Sequence, residues 1–72
     1  MPDGIIRKVN PYELHGVQYY QLFISLASQP DMVREVRLSH DQVYANPQDG
    51  DEVSVQMLLS MITDVRKKTP SP

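Results

Sequence analysis

The apolar positions of this chain recur mostly in twos. Over residues 18–26, Tyr20, Leu22, Ile24 and Leu26 fall on one face of an extended segment, and Tyr19, Gln21, Phe23 and Ser25 fall on the other. Over residues 32–38, Met32, Val36 and Leu38 share a face opposite Val33, Glu35 and Arg37. Arg34 interrupts the apolar set, so that strand reads as half buried. Alternation is clearest over residues 52–59, where Val53, Val55, Met57 and Leu59 oppose Glu52, Ser54, Gln56 and Leu58. Residues 5–9 are short, apolar and β-branched at three of five positions, which also favours a strand. The breaks between these segments carry turn chemistry: His15-Gly16, Gln29-Pro30-Asp31, and Asn46-Pro47 running on to Asp49-Gly50-Asp51. Ser39 and Gln42 have the spacing of a capping box, which predicts one helical turn over residues 39–44.

The C-terminal third admits two periods. Val53, Met57, Met61 and Val65 recur every fourth residue with Leu58 and Ile62 beside them, a helical stripe with Arg66-Lys67-Lys68 at its end and Pro70 beyond. Three valines, the strict alternation at its start and the Asp49-Gly50 reversal favour strand instead. Residues 52–67 then form one long strand bent near Ser60, or two strands joined there. The predicted fold is all-β: a small five-stranded, strongly curved barrel with one short helical turn. The alternative is an α+β fold with a C-terminal helix after Gly50. The order of elements, with a helical turn before the penultimate strand and Gly50-Asp51-Glu52-Val53 opening it, resembles the SH3-like and OB-like barrels. That resemblance is to a fold and implies no functional residue, because such folds host many unrelated activities.

A chain of 72 residues forms a single domain, 1–72, burying roughly 60% of its extended surface in one thin core. Residues 1–4 and 69–72 read as loose ends, which leaves an ordered core of about 4–68. Cysteine is absent, which removes disulfides, thiolate nucleophiles and cysteine zinc sites. No apolar run reaches a membrane-spanning length and no signal-peptide pattern opens the chain, so a cytoplasmic protein is expected.

Nine acids against seven bases give a net charge of −2, which disfavours nucleic acid as the default partner. The bases gather at the ends, Arg7 and Lys8 near one and Arg66, Lys67 and Lys68 near the other. If the first and last strands pair, part of this set forms one patch suited to single-stranded nucleic acid or an acidic partner. Otherwise the same residues serve as solubilising edge charges. The aromatics are Tyr12, Tyr19, Tyr20, Phe23 and Tyr44. Tyr19 and Phe23 share strand parity, so they stand together either on a binding face or beneath a second covering layer. Met57, Leu58, Leu59, Met61 and Ile62 exceed what a thin core absorbs, which predicts core with one exposed edge.

Catalytic chemistry finds little footing. The three glycines are isolated at positions 4, 16 and 50, and no serine sits in a nucleophile elbow. His15 and His40 lie too far apart in sequence for a local metal motif, and Asp49, Asp51 and Glu52 lack the calcium-loop pattern. The expectation is a non-catalytic protein-interaction module, acting as adaptor, accessory subunit or inhibitor without cofactor or metal. Tyr12, Tyr19, Phe23 and Tyr44 would contact the protein partner, with Arg7 and Arg66 as rim charges. The alternatives are an OB-like single-stranded nucleic-acid binder using Arg7, Lys8, Arg66, Lys67 and Lys68 around Tyr19, and a self-assembling structural protein. A homo-oligomer is compatible with each of the three.

Overall fold

A computed structural model of the chain describes residues 2–68, so the expected loose end over 69–72 lies outside the described residues. Five antiparallel strands run in chain order: β1 (Asp3–Leu14), β2 (Val17–Leu26), β3 (Val33–Ser39), β4 (Glu52–Leu58) and β5 (Met61–Lys67). One 3-10 turn, His40–Gln42, separates β3 from β4. In space the order is β3-β2-β1-β4-β5. The fold is all-β, and the alternative with a C-terminal helix is overturned.

Sequence chemistry accounts for the connections. His15 and Gly16 both take positive φ (52° and 78°), the two-residue reversal whose twist matches the flanking strands. Ser39 opens the 3-10 turn with the expected capping box, its amide donating to Gln42 Oε1 at 3.2 Å. Leu59 and Ser60, at φ 52° and 70°, join β4 to β5, so residues 52–67 form a hairpin rather than one bent strand.

Two β-bulges explain where simple alternation fails. In β5, Asp64 faces Gln56 and Ile62 faces Met57, leaving Thr63 as the extra residue. The inward positions therefore step by three, from buried Ile62 to buried Val65. Ile62 and Val65 thus share the inward face at a spacing an unbulged strand would not give, while Met61, in the fourfold stripe, is exposed. In β1, Ile6 faces Ile24 and Lys8 faces Phe23, so Arg7 is the extra residue and the inward side passes from Ile6 to Val9. β1 also begins earlier and ends later than residues 5–9. Asp3 and Gly4, read as a loose end, pair with β4, and Gly4 pairs with β2 as well. Pro11 is tolerated within β1 because the β4 ladder stops at Ile5, which leaves that edge without a strand partner. The loop before β4 takes over there. Gly50 N donates to Ile6 O at 2.7 Å, Ile6 N to Asp51 O at 3.0 Å, and Val9 N to Asp49 Oδ1 at 2.9 Å.

The core contains Ile6, Leu22, Ile24, Leu26, Leu38, Val43, Val53, Val55, Ile62 and Val65. Its residues come from all five strands and from the segment after the 3-10 turn, so the sheet curls over itself. The sheet does not close into a barrel. β3 and β5 end the hydrogen-bonded order, and among the described residues the strand-type pairing of the chain beyond β3 with β5 is limited to an isolated parallel bridge between Val43 and Val65. The 3-10 turn swings the chain off the β3 line, and the Asn46-Pro47 break follows before a ladder can lengthen. β1 pairs with β4, so the first and last strands are not neighbours.

Candidate functional site

The bulge at Arg7 decides which side chains share the solvent face of the sheet. Beyond it, Lys8, Asn10, Tyr12 and Leu14 of β1 stand opposite Phe23, Gln21, Tyr19 and Val17 of β2, all turned from the core. Glu35, Arg37 and Ser39 of β3 continue the same rows opposite Phe23, Gln21 and Tyr19. The Tyr12 and Tyr19 rings stack with centroids 5.5 Å apart and planes 15° from parallel, a cross-strand aromatic pair. Phe23 lies two rows along on the same side, as its parity with Tyr19 requires.

Polar contacts hold the rows between the aromatics. Asn10 Nδ2 donates to Gln21 Oε1 at 3.2 Å, Gln21 Nε2 donates to the Glu35 carboxylate, and Arg37 Nη2 reaches the same carboxylate at 3.4 Å. This network spans three strands and runs through the row between Tyr19 and Phe23. Arg7, at the bulge, lies along the same face and donates from Nε to Oγ of the buried Ser25 at 3.0 Å.

The remaining proposed contacts are placed elsewhere. Arg66 faces Ser54, which faces Asp3, so it sits two strands from Arg7. Tyr44 is not on the aromatic face: it packs against the core, and its hydroxyl donates to Asp51 Oδ2 at 2.6 Å. It latches the loop that covers β1. Partial burial, then the Asp51 carboxylate, pushes the Tyr44 phenol well above the usual tyrosine range. The Tyr44 hydroxyl, then the Gln48 amide, holds the Asp51 carboxyl below the usual carboxylate range. A carboxyl depressed in the folded state stabilises above its unfolded pKa, and the contribution is lost as pH falls through the folded value. Tyr44→Phe is therefore expected to cost about 1 kcal/mol near neutrality, read from urea unfolding. The difference from wild type should shrink below the carboxylate range, and NMR titration should show Asp51 returning toward its ordinary pKa.

The bases do not merge into one patch. Lys68 Nζ is paired with Asp3 Oδ2 at 3.1 Å, which lowers the Asp3 carboxyl and raises the Lys68 amine. Lys67 belongs to the row of Val53, on the opposite side from Arg66, and its charge reaches Asp51. Arg7 and Lys8 lie on β1, with Glu52 in the row beside Ile5. Asp49 and Asp51 act as loop formers through their bonds to Val9, Gln48 and Tyr44. His15 is at a hairpin tip and His40 in the 3-10 turn, both exposed. Among the described residues no three metal-ligating side chains converge.

One surface exceeds what the sequence pattern conveyed. At the β4–β5 tip, Met57 and Ile62 turn inward, whereas Leu58, Leu59 and Met61 are 65%, 90% and 70% exposed. The signal was Leu59 itself, which continues the alternation of Val53 and Val55 but falls in the reversal. No family model, curated protein or solved structure was found to match this chain. What defines the class is the architecture: a small antiparallel all-β domain with an open sheet and an aromatic outer face.

Proposed function

We propose that the protein is a non-catalytic interaction module, an adaptor, accessory subunit or inhibitor that docks a protein partner on the outer face of β1 and β2. The observation that carries this reading is the Tyr12–Tyr19 stack, together with Phe23, on the side away from a core assembled without them. Large aromatics, with few rotatable bonds, bury much area at small entropic cost, which is the profile of binding hot spots. Arg7 supplies a rim charge beside Phe23 and Ile5, and Arg66 can reach only a partner that extends across β4. In this reading the curved sheet serves as an SH3-like platform, rigid beneath and aromatic above. The intermixed acids Asp3, Asp51 and Glu52 oppose a phosphate backbone on the basic ends, which makes a protein partner the better fit than nucleic acid. We place the module in the cytoplasm; among the described residues no helix is long and apolar enough to cross a membrane.

The test is photocrosslinking in the native host with a benzoylphenylalanine at Phe23. The partner recovered is purified and titrated against wild-type protein and Tyr19→Ala. A specific adduct and roughly tenfold weaker binding by the variant are expected. No adduct from position 23, or equal binding by the variant, removes this reading. Fluorescence anisotropy with a mixed oligonucleotide provides the opposing arm. Strong binding at low salt that collapses as salt rises would replace the protein partner with single-stranded nucleic acid.

A further inference from the structure

The free edge of β3 differs from every other edge of this sheet. No backbone hydrogen bond joins β3 to β5 among the described residues, so the outward amides and carbonyls of β3 have no strand partner. Exposed edges are normally guarded by charged side chains (lysine above all), inward-pointing charges, proline, a bulge, extreme shortness or a covering loop. β5 has such guards in the Thr63 bulge and Lys67. β3 has none of these and is guarded only by charge: Arg34 on the inward face, whose Nη1 donates to Ser60 O at 3.4 Å, and Glu35 and Arg37 on the outer face. Its seven residues, VREVRLS, contain no lysine or proline, and the register to β2 is unbroken from Val33 opposite Ser25 to Ser39 opposite Tyr19. A groove open to solvent follows this edge, between Glu35, Val36, Arg37 and Leu38 on one side and Met61, Ile62 and Thr63 on the other.

The β3 sequence is complementary to itself when reversed about Val36. In an antiparallel pair centred there, Val36 meets Val36, Glu35 meets Arg37 of the second copy, and Arg37 meets its Glu35. Arg34 then stands opposite Leu38 and Val33 opposite Ser39. Glu35 and Arg37 are on the outer face, their side chains 45% and 67% exposed, and already lie 3.4 Å apart within one copy. Two-fold pairing would convert this same-strand contact into a four-membered alternation of charge across the dyad. Opposite charges directly across a ladder stabilise it, and like charges oppose it.

We propose that two copies of this chain associate through β3, antiparallel and centred on Val36, to make one continuous sheet across the dimer. This goes beyond the interaction module proposed above and does not depend on it. The aromatic faces of the two copies would then lie on the same side of the joined sheet, giving a partner two equivalent sites. An interface built on a seven-residue ladder is small by the standard of stable dimers, so association is concentration-dependent.

Sedimentation equilibrium from micromolar to millimolar concentration tests the association, and charge reversal tests its register. Glu35→Lys and Arg37→Glu, each checked for fold by amide spectra, are expected to weaken self-association by roughly tenfold, since each sets like charges across the dyad. Mixed in equal amounts, the two variants should recover wild-type affinity, with the mixed dimer identified by its mass in native mass spectrometry. A wild-type protein that stays monomeric at millimolar concentration overturns the proposal. So does a dimer untouched by both reversals, or one abolished by Leu59→Lys instead, which would move the contact to the hairpin tip. Failure of the mixture to recover association refutes the Val36-centred register.

Discussion

Gly4→Ala is expected to destabilise the domain by about 2 kcal/mol, with Gly4→Val close to preventing folding. A Cβ on Gly4 would stand 2.8 Å from the Ser25 carbonyl oxygen and 3.1 Å from Ile24 Cγ2. The first neighbour is ladder backbone, which cannot swing aside as a flexible side chain can. Relief would require β1 to move away from β2 at a residue that also pairs with Val53 of β4. Against this, alanine restricts the unfolded chain and returns roughly 0.5 kcal/mol, too little to change the sign. Gly16→Ala is the informative control. Gly16 has positive φ, but nothing lies within 4 Å of its would-be Cβ, so only left-handed strain of about 1 kcal/mol is expected. Urea unfolding with unchanged slope should therefore rank Gly4→Ala below Gly16→Ala in stability. The reverse order would mean that β1 does not sit between β2 and β4 as described.

Gly4 also marks a limit of reading the chain by pattern. It lies near a terminus beside proline and aspartate, where composition alone suggests fraying, and only the two strands flanking it reveal the crowding. By contrast, β2 was legible throughout, because Leu22, Ile24 and Leu26 are buried in unbroken alternation and its register to β3 never slips. The reversals at His15-Gly16 and the cap at Ser39 were legible for the same reason: their chemistry is local. Illegible were features set by pairing. The bulges at Arg7 and Thr63 shift parity without any required residue type, and the fourfold spacing of Val53, Met57, Met61 and Val65 runs across a hairpin turn rather than along one face. Strand order is likewise nonlocal: pairing of the first and last strands would have joined the basic ends, and β1 pairs with β4 instead, so they stay apart.

The candidate site shows the same division. Parity placed Tyr19 and Phe23 together correctly, since both lie on one unbroken strand. Tyr12 joined them only through the Arg7 bulge, without which β1 would present the opposite parity to Tyr19. Tyr44 looked equivalent in composition but is separated from the face by the fold, and its hydroxyl is committed to Asp51. A surface tyrosine and a loop latch are indistinguishable until the aspartate seven residues on is seen to fold back.

Replacing Leu59-Ser60 by Asn-Gly is expected to raise stability by about 2 kcal/mol. Both residues hold positive φ, 52° and 70°, in a two-residue hairpin reversal. Leucine has no side-chain group to compensate that backbone, and serine has little. Asparagine tolerates it and glycine has no Cβ to clash. The loss on the other side is small, because Leu59 is 90% exposed and contributes little apolar burial. Ser60 O accepts only a long contact from Arg34 Nη1, at 3.4 Å, and that carbonyl survives the substitution. The single changes should each supply part of the gain, with Ser60→Gly the larger. Thermal unfolding would show the midpoint rising while the slope of urea unfolding stays constant. A variant no more stable than wild type would mean that the Leu59 side chain makes contacts in solution, and self-association at the hairpin tip would be the first place to look. Backbone strain and apolar exposure thus coincide at the tip of β4–β5, in Leu59 above all.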